Sequence, residues 1–223
     1  MKASEALFER QILMTELYAC VGSGNCMKPW LALKQLGKDF NLKMVDVLKG
    51  EQKDAHYLAV NPMGVVPFLV TSEGEGIGES NAILWYLAEG SYLMPQTEKA
   101  RAEALQWMFF EQSKLEPYIA PARFFTHIVP QERESHLDDI AAWQKAARPG
   151  LAKLDTHLAT RRFILEQGYS VADIALFGYV HVLQEAGLDM NETPNIARWI
   201  EDVTQTENFS SLDELGTRVR RAS

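Results

Sequence analysis

Cysteine is scarce in this chain of 223 residues: only Cys20 and Cys26 are present. Two are too few for a disulfide scaffold, and their spacing matches neither a zinc pair nor CxxC. Positive charge is also in deficit, with 22 Lys and Arg against 30 Asp and Glu and a formal charge of −8. Such a balance provides no footprint for nucleic acid or an anionic membrane surface. No apolar run approaches the roughly 20 residues of a membrane span, and the opening "MKASEALFERQIL" lacks the apolar centre of a signal peptide. Asn208-Phe209-Ser210 has glycosylation spelling, which is discounted without an export signal, and the chain reads as cytoplasmic. The five histidines, His56, His127, His136, His157 and His181, show no HExxH or comparable spacing, so no metal is expected. "GEGIGE" at 74–79 is not GxGxxG and fits a hairpin turn better, so no nucleotide is expected either.

What is present is ordinary for a globular protein: 47% apolar and 23% charged residues, long enough for one large domain or two small ones. Residues 1–13 read as a short amphipathic or frayed leader, and Met14 is a second candidate start. Then come a strand (about 15–21), a helix (about 26–37), a strand (about 42–48) and a polar connection with a short helical turn (49–60). A strand (66–71), a hairpin partner around Ile77 and a helix (about 80–89) follow. The order βαβ then ββα makes a small α/β layer with a mixed sheet. Proline costs roughly 3 kcal/mol inside a helix but is tolerated in its first turn. Pro29 therefore sets the start near Asn25 or Cys26, with Ser23 and Gly24 in the preceding loop.

"EGSYLMPQT" (89–97) is the best linker, and after it strand signals stop. "EKARAEALQWMFFEQSKLEPYIAPARFF" reads as helix, with Leu105, Met108, Phe109 and Gln112 at three-and-four spacing. A second helical stretch is interrupted at Pro149-Gly150. A third opens with Ser170-x-x-Asp173, a capping box, and "NIARWIEDVTQT" is a further short helix. The chain divides into an α/β part, 14–94, and an all-helical part, 98–223, without internal repeats.

Three loops carry candidate chemistry. In "VGSGNC" a strand hands over to a helix whose start presents unpaired N–H groups and partial positive charge. Ser23 can donate a hydrogen bond to an anion there, or Ser23 or Asn25 can simply cap the helix. In "NPMGVVPFL" Val66-Pro67 opens a strand, either as an ordinary trans proline or as a cis bond that turns the Val66 backbone out to pair with an extended ligand. In "GESNAILWYL" Ser80 is a natural N-cap. Beside it Glu79 suits an ammonium group while the helix start suits a carboxylate, and the alternative is a plain capped helix with a solvated glutamate. The three in this order are more specific than any one alone.

From about Leu17 onward these motifs resemble the soluble glutathione transferase superfamily, especially a bacterial "SGNCxK" group similar to the theta, phi and nu classes. The resemblance implies a thioredoxin-like N-terminal domain, an all-helical C-terminal domain and, usually, a homodimer. It makes glutathione the co-substrate and Ser23 the activating hydroxyl for its thiol, with Asn25 a second polar partner. It assigns Gln52 and Lys53 to the glycyl carboxylate, Val66 before Pro67 to the cysteinyl unit, and Glu79 and Ser80 to the γ-glutamyl end. Val65 departs from relatives that carry glutamine there, and Tyr18, inside the strand, is no substitute for the tyrosine of Tyr-dependent members. Cys26 occupies the resolving-cysteine register of thioredoxin-type enzymes but reads better as a small buried residue.

The implied electrophile pocket lies between Ser23 and the helical part. Trp107, Phe110, Tyr118, Phe124 and Phe125 are aromatic enough to line it, although aromatics at helical spacing are more often core. The leading expectation is conjugation of glutathione to small electrophiles, as in detoxification. Glutathione-dependent disulfide reduction is a second enzyme reading, and a non-catalytic interaction module is a third.

Overall fold

The computed structural model describes residues 14–217, so the leader expected over 1–13 lies outside the described residues. Four strands form one mixed sheet in the order β2-β1-β3-β4: β1 (Glu16–Ala19), β2 (Asn41–Met44), β3 (Phe68–Val70) and β4 (Gly76–Ile77). β2 runs parallel to β1 through the crossover helix α1 (Gly24–Gln35), while β3 is antiparallel to both β1 and β4. The alternation in "ELYA" buries Leu17 and Ala19 against α1 and leaves Glu16 and Tyr18 on the outer face. A short helix α2 (Ala55–Val60) lies in the connection to β3, and α3 (Ser80–Ala88) closes the α/β part.

The helical part comprises α4 (Glu98–Lys114), α5 (Glu116–Arg123), α6 (Leu137–Leu158), α7 (Val171–Val180), α8 (Pro194–Thr204) and α9 (Leu212–Thr217). A thioredoxin-like layer followed by an all-helical one is the architecture expected from the sequence. The two share one continuous core, in which Leu17, Trp30 and Leu84 join Leu115, Leu154, Phe177 and Trp199. At the seam α1 meets α7 backbone to backbone. A Cβ on Gly24 would lie 2.2 Å from the Gly178 carbonyl oxygen, and one on Gly178 would lie 2.7 Å from that of Gly24. Gly24 is thus required by packing, whereas Gly22 (φ 74°) supplies the left-handed turn before the helix.

Several local expectations need correction. α1 begins at Gly24 with Ser23 as its N-cap, so Pro29 lies in the second turn, where its ring withholds one N–H from the ladder. The single helix expected over 98–125 breaks at Leu115, and Pro117 sits in the first turn of α5, where a missing N–H costs nothing. The buried stripe of α4 is Ala100, Ala104, Trp107, Met108 and Glu111, while Leu105 and Phe109 face outward. Pro149-Gly150 does not interrupt α6. A Cβ on Gly150 would come within 2.9 Å of the Lys114 carbonyl, so the small residue admits the α4–α5 junction.

Candidate active site

Two helix starts from the α/β part converge. At α1 the Ser23 hydroxyl accepts the Cys26 N–H at 3.2 Å. Capping uses an oxygen lone pair and leaves the hydroxyl proton available as a donor. No acidic side chain occupies the first turn of α1, so its positive end is not compensated there. At α3 the cap is Glu79 and Ser80 is the first helical residue, which corrects the expected cap. Glu79 has φ 63° and ψ 118°, a strained conformation for a residue with a side chain. The buried Ser80 hydroxyl donates to Asn25 Oδ1 at 3.1 Å. Residues 23–25 and 79–80 therefore form one corner of the molecule.

Beneath that corner runs a polar chain. Lys28 Nζ reaches Ser80 Oγ at 3.4 Å and pairs with Glu111 Oε2 at 2.9 Å, both charged side chains being fully buried. Asn81 and Gln112 donate to the same Glu111 oxygen at 3.3 and 2.8 Å. On the open side, Asn25 Nδ2 donates to Glu116 Oε1 at 3.1 Å, tying α1 to the first turn of α5. Burial raises the Glu116 pKa above the usual carboxylate range. The charges of Glu111 and Glu79 add to that rise, while the Asn25 hydrogen bond and Lys28 oppose it.

Arg123, nearly buried at the end of α5, donates to the Gly22 carbonyl and to Glu185 Oε2 at 2.5 Å. Thus α5 grips the Ser23 loop on both sides, at Gly22 and at Asn25. The two thiols lie beneath this loop, with the Cys20 N–H 3.4 Å from Cys26 Sγ. Hydrogen bonding with Cys26 holds the Cys20 pKa down, and burial pushes that of Cys26 well up. Tyr18, bound to Glu16 at 2.9 Å, is pushed up to about 12 by burial and that carboxylate, the wrong direction for an activating phenol.

The third loop lies along β3. The Val66–Pro67 peptide is cis, and the β1–β3 register ends at Tyr18 opposite Phe68, one residue beyond Pro67. Tyr57 Oη and Asn61 Nδ2 fix the Val65 carbonyl at 2.6 and 2.8 Å, and Val65 itself is exposed. Lys53 Nζ donates to the Gly64 carbonyl at 3.1 Å, while Gln52 Oε1 is buried without a hydrogen-bond partner among the described residues. Gln52 and Lys53 thus adjoin Gly64, two residues before the predicted Val66.

A cavity of about 930 Å³ opens beside Gly22, with Val21, Leu48, Arg123, Ile128, Glu185 and Leu212 in its wall. None of Trp107, Phe110, Tyr118, Phe124 or Phe125 lines it. Trp107 is on the buried stripe of α4, its ring 5.1 Å from Phe110 and 4.3 Å from His157. Tyr118 is half-buried against the core. Phe124 packs edge-on to Phe125 at 5.2 Å, and Phe125 stacks toward Trp143.

Sequence reasoning missed Lys28, Glu111, Glu116 and Arg123. A signal existed for the first two: each charge sits at a buried stripe position, Lys28 beside Met27 and Leu31, Glu111 beside Trp107 and Met108. Opposite charges on two apolar stripes predict that the stripes meet.

This corner stands where a thioredoxin-like sheet meets a helical domain. The N-terminal domain model of glutathione S-transferase matches residues 22–89, and the C-terminal domain model matches residues 137–202. A possible glutathione S-transferase of known structure from Rhodopseudomonas palustris is 41% identical, over 89% of this chain and 90% of that one, with a TM-score of 0.86. Glutathione S-transferase D7 of Drosophila melanogaster is 28% identical over 194 residues, 82% of this chain and 84% of that protein. A glutathione transferase family member from Pseudomonas fluorescens, solved with two glutathione bound, is 25% identical over 92% of each chain, with a TM-score of 0.77. The chain belongs to the soluble glutathione S-transferase superfamily.

Proposed function

We propose that this protein binds glutathione across the corner and activates its thiol at Ser23 for attack on small electrophiles. The observation that carries this reading is the 3.1 Å hydrogen bond between Ser80 and Asn25. It joins the two helix starts, so one tripeptide can span them with its sulfur at Ser23 and its amino-acid end at Ser80. Its α-carboxylate faces the α3 N-terminus, with the Lys28 charge behind Ser80. Glu79 takes the ammonium group, the Val66 backbone before Pro67 pairs with the cysteinyl unit, and Gln52 and Lys53 hold the glycyl end.

The magnitudes suffice. A free thiol with pKa near 8.5 is only about 3% thiolate at neutral pH. Lowering the pKa by about two units needs roughly 2.7 kcal/mol. One charge-assisted hydrogen bond gives about 1.5–3 kcal/mol and a helix start about 0.3–1. The thiol proton passes to solvent and the Ser23 hydroxyl donates to the thiolate. Sulfur then attacks carbon, and the displaced group leaves with its bonding electrons.

The electrophile enters between Ser23 and the helical domain. Phe124 and Tyr118, on the same helical run as Arg123, remain candidate walls, and the cavity beside Gly22 supports an opening there. Cytoplasmic detoxification by a homodimer is the physiological setting that fits a chain of this family.

Disulfide reduction by glutathione is the second reading. The cavity beside Gly22 has room for a further small molecule, and a 25%-identical family member holds two glutathione. A paired assay separates the two, with glutathione plus an aryl halide in one arm and glutathione plus a small mixed disulfide in the other. Turnover in the first arm, lost in Ser23→Ala while glutathione still binds, supports conjugation. Turnover in the second arm alone supports reduction, and no glutathione binding at millimolar concentration refutes both.

A further inference from the structure

Glu116 belongs to the helical domain, yet its carboxylate stands at the glutathione corner. Its Oε1 accepts from Asn25 at 3.1 Å, and Asn25 in turn accepts from Ser80, the residue after Glu79. Three carboxylates gather here, and they differ in their compensation. Glu111 is neutralised by Lys28 at 2.9 Å. Glu79 and Glu116 form no ion pair among the described residues, although each raises the local negative potential at the other. The described residues hold no group of three or more His, Cys, Asp and Glu that could bind a metal ion. Two carboxylates without an ion pair suit an ammonium group by charge and by hydrogen bonding.

Both signs of charge meet here. Positive potential, from the α3 N-terminus and from Lys28 behind Ser80, adjoins the carboxylates of Glu79, the α3 cap, and Glu116. An α-amino acid group matches both signs in a single unit, a carboxylate and an ammonium on one carbon. Burial makes an unpaired Glu116 carboxylate costly, and an ammonium ligand relieves that cost.

We propose that Glu116 is a second ammonium-binding carboxylate for the γ-glutamyl end of glutathione, so that this end is clasped between Glu79 of the α/β domain and Glu116 of the helical domain. The proposal rests on the glutathione-binding reading above. Its consequence is selectivity: ligands with a free α-amino group are retained, and analogues lacking it are not. A second consequence is that ligand binding draws α5 toward the α3 start. The same helix holds the Ser23 loop through Asn25 and through the Arg123 bond to the Gly22 carbonyl.

The test uses the full chain, glutathione and its des-amino analogue, glutaryl-cysteinylglycine, with both affinities measured by titration calorimetry. Glu116→Gln preserves side-chain shape and the carbonyl that accepts from Asn25, so only the charge is removed. The variant should lose roughly tenfold or more in glutathione affinity, the size of one charge-assisted hydrogen bond, with little change for the analogue. Glu79→Gln should show the same selective loss, which guards against misfolding of one variant. Equal losses on both ligands, or no loss on glutathione, in Glu116→Gln would overturn the clasp while leaving glutathione binding intact. Wild-type protein that binds neither ligand would overturn the glutathione reading and the clasp together.

Discussion

The helices α1 and α7 each start with a serine cap, and they use it in opposite ways. At α7 the third helical position is Asp173, and the cap is closed. Its Oδ2 accepts the Ser170 N–H at 2.9 Å, and its Oδ1 accepts from the Ile164 N–H and the Trp199 indole, both at 2.9 Å. All of this is buried. At α1 the third helical position is Cys26, the first turn has no acid, and Ser23 is half-exposed. The neighbouring polar side chain, Asn25, turns away to Ser80 and Glu116. A carboxylate at the third position converts the positive helix end into internal structure, and its absence leaves that end for a ligand.

Replacing the closed cap's carboxylate should have the largest effect. Asp173→Ala strands three buried N–H donors, which at roughly 1–3 kcal/mol each should cost about 4 kcal/mol and lower Tm by about 10 °C in a thermal melt. Gly24→Ala comes next. Its Cβ would meet the Gly178 carbonyl at 2.2 Å, so α1 must shift from α7. We expect about 3 kcal/mol lost in urea unfolding, with turnover falling because Ser23 moves too.

The sharpest contrast is Ser23→Ala against Ser170→Ala. Each should lose about 1 kcal/mol of stability as a cap. Only Ser23→Ala should lose turnover, by roughly 10–100-fold, equivalent to about 1.5–3 kcal/mol of transition-state stabilisation. Similar losses of turnover in both would erase the distinction between the open and the closed cap.

The smallest effect concerns His181 at the end of α7, pushed down to about 4 by burial and stacked 4.4 Å from Phe177. The unfolded chain takes up a proton near pH 6.5, and the folded one only near 4. Stability is thus present above the unfolded pKa and is lost as pH falls through that window. Asp173, raised to about 6 by burial, acts oppositely, losing stability as pH rises from about 4 to 6. His181→Phe should therefore gain about 1 kcal/mol relative to wild type between pH 6.5 and 4, after allowance for partial exposure, in pH-stepped denaturant melts. A constant difference across that window would remove His181 from the pH balance.

Local features were legible in the sequence. The strand that hands over to "VGSGNC", the hairpin partner around Ile77 and the Ser170-x-x-Asp173 box each depend on neighbours within a few residues. Features that depend on distant partners were not. Asn25 and Glu116 are 91 residues apart, and Lys28 and Glu111 are 83 apart, so no local pattern announces either pair. Ser80 looked like a cap because serine commonly is one, but the left-handed turn at Glu79 moved the cap back by one residue. Trp107 looked like a pocket aromatic, but the stripe shared with Ala104 and Glu111 turns it into the core.

The most direct measurement is the ionisation of the bound glutathione thiol, followed by thiolate ultraviolet absorbance against pH, in wild type and Ser23→Ala. A midpoint near pH 6.5 in wild type, returning toward about 8.5 in the variant with affinity nearly unchanged, is the predicted result. A midpoint that stays where wild type has it after the hydroxyl is removed would contradict the assignment of Ser23.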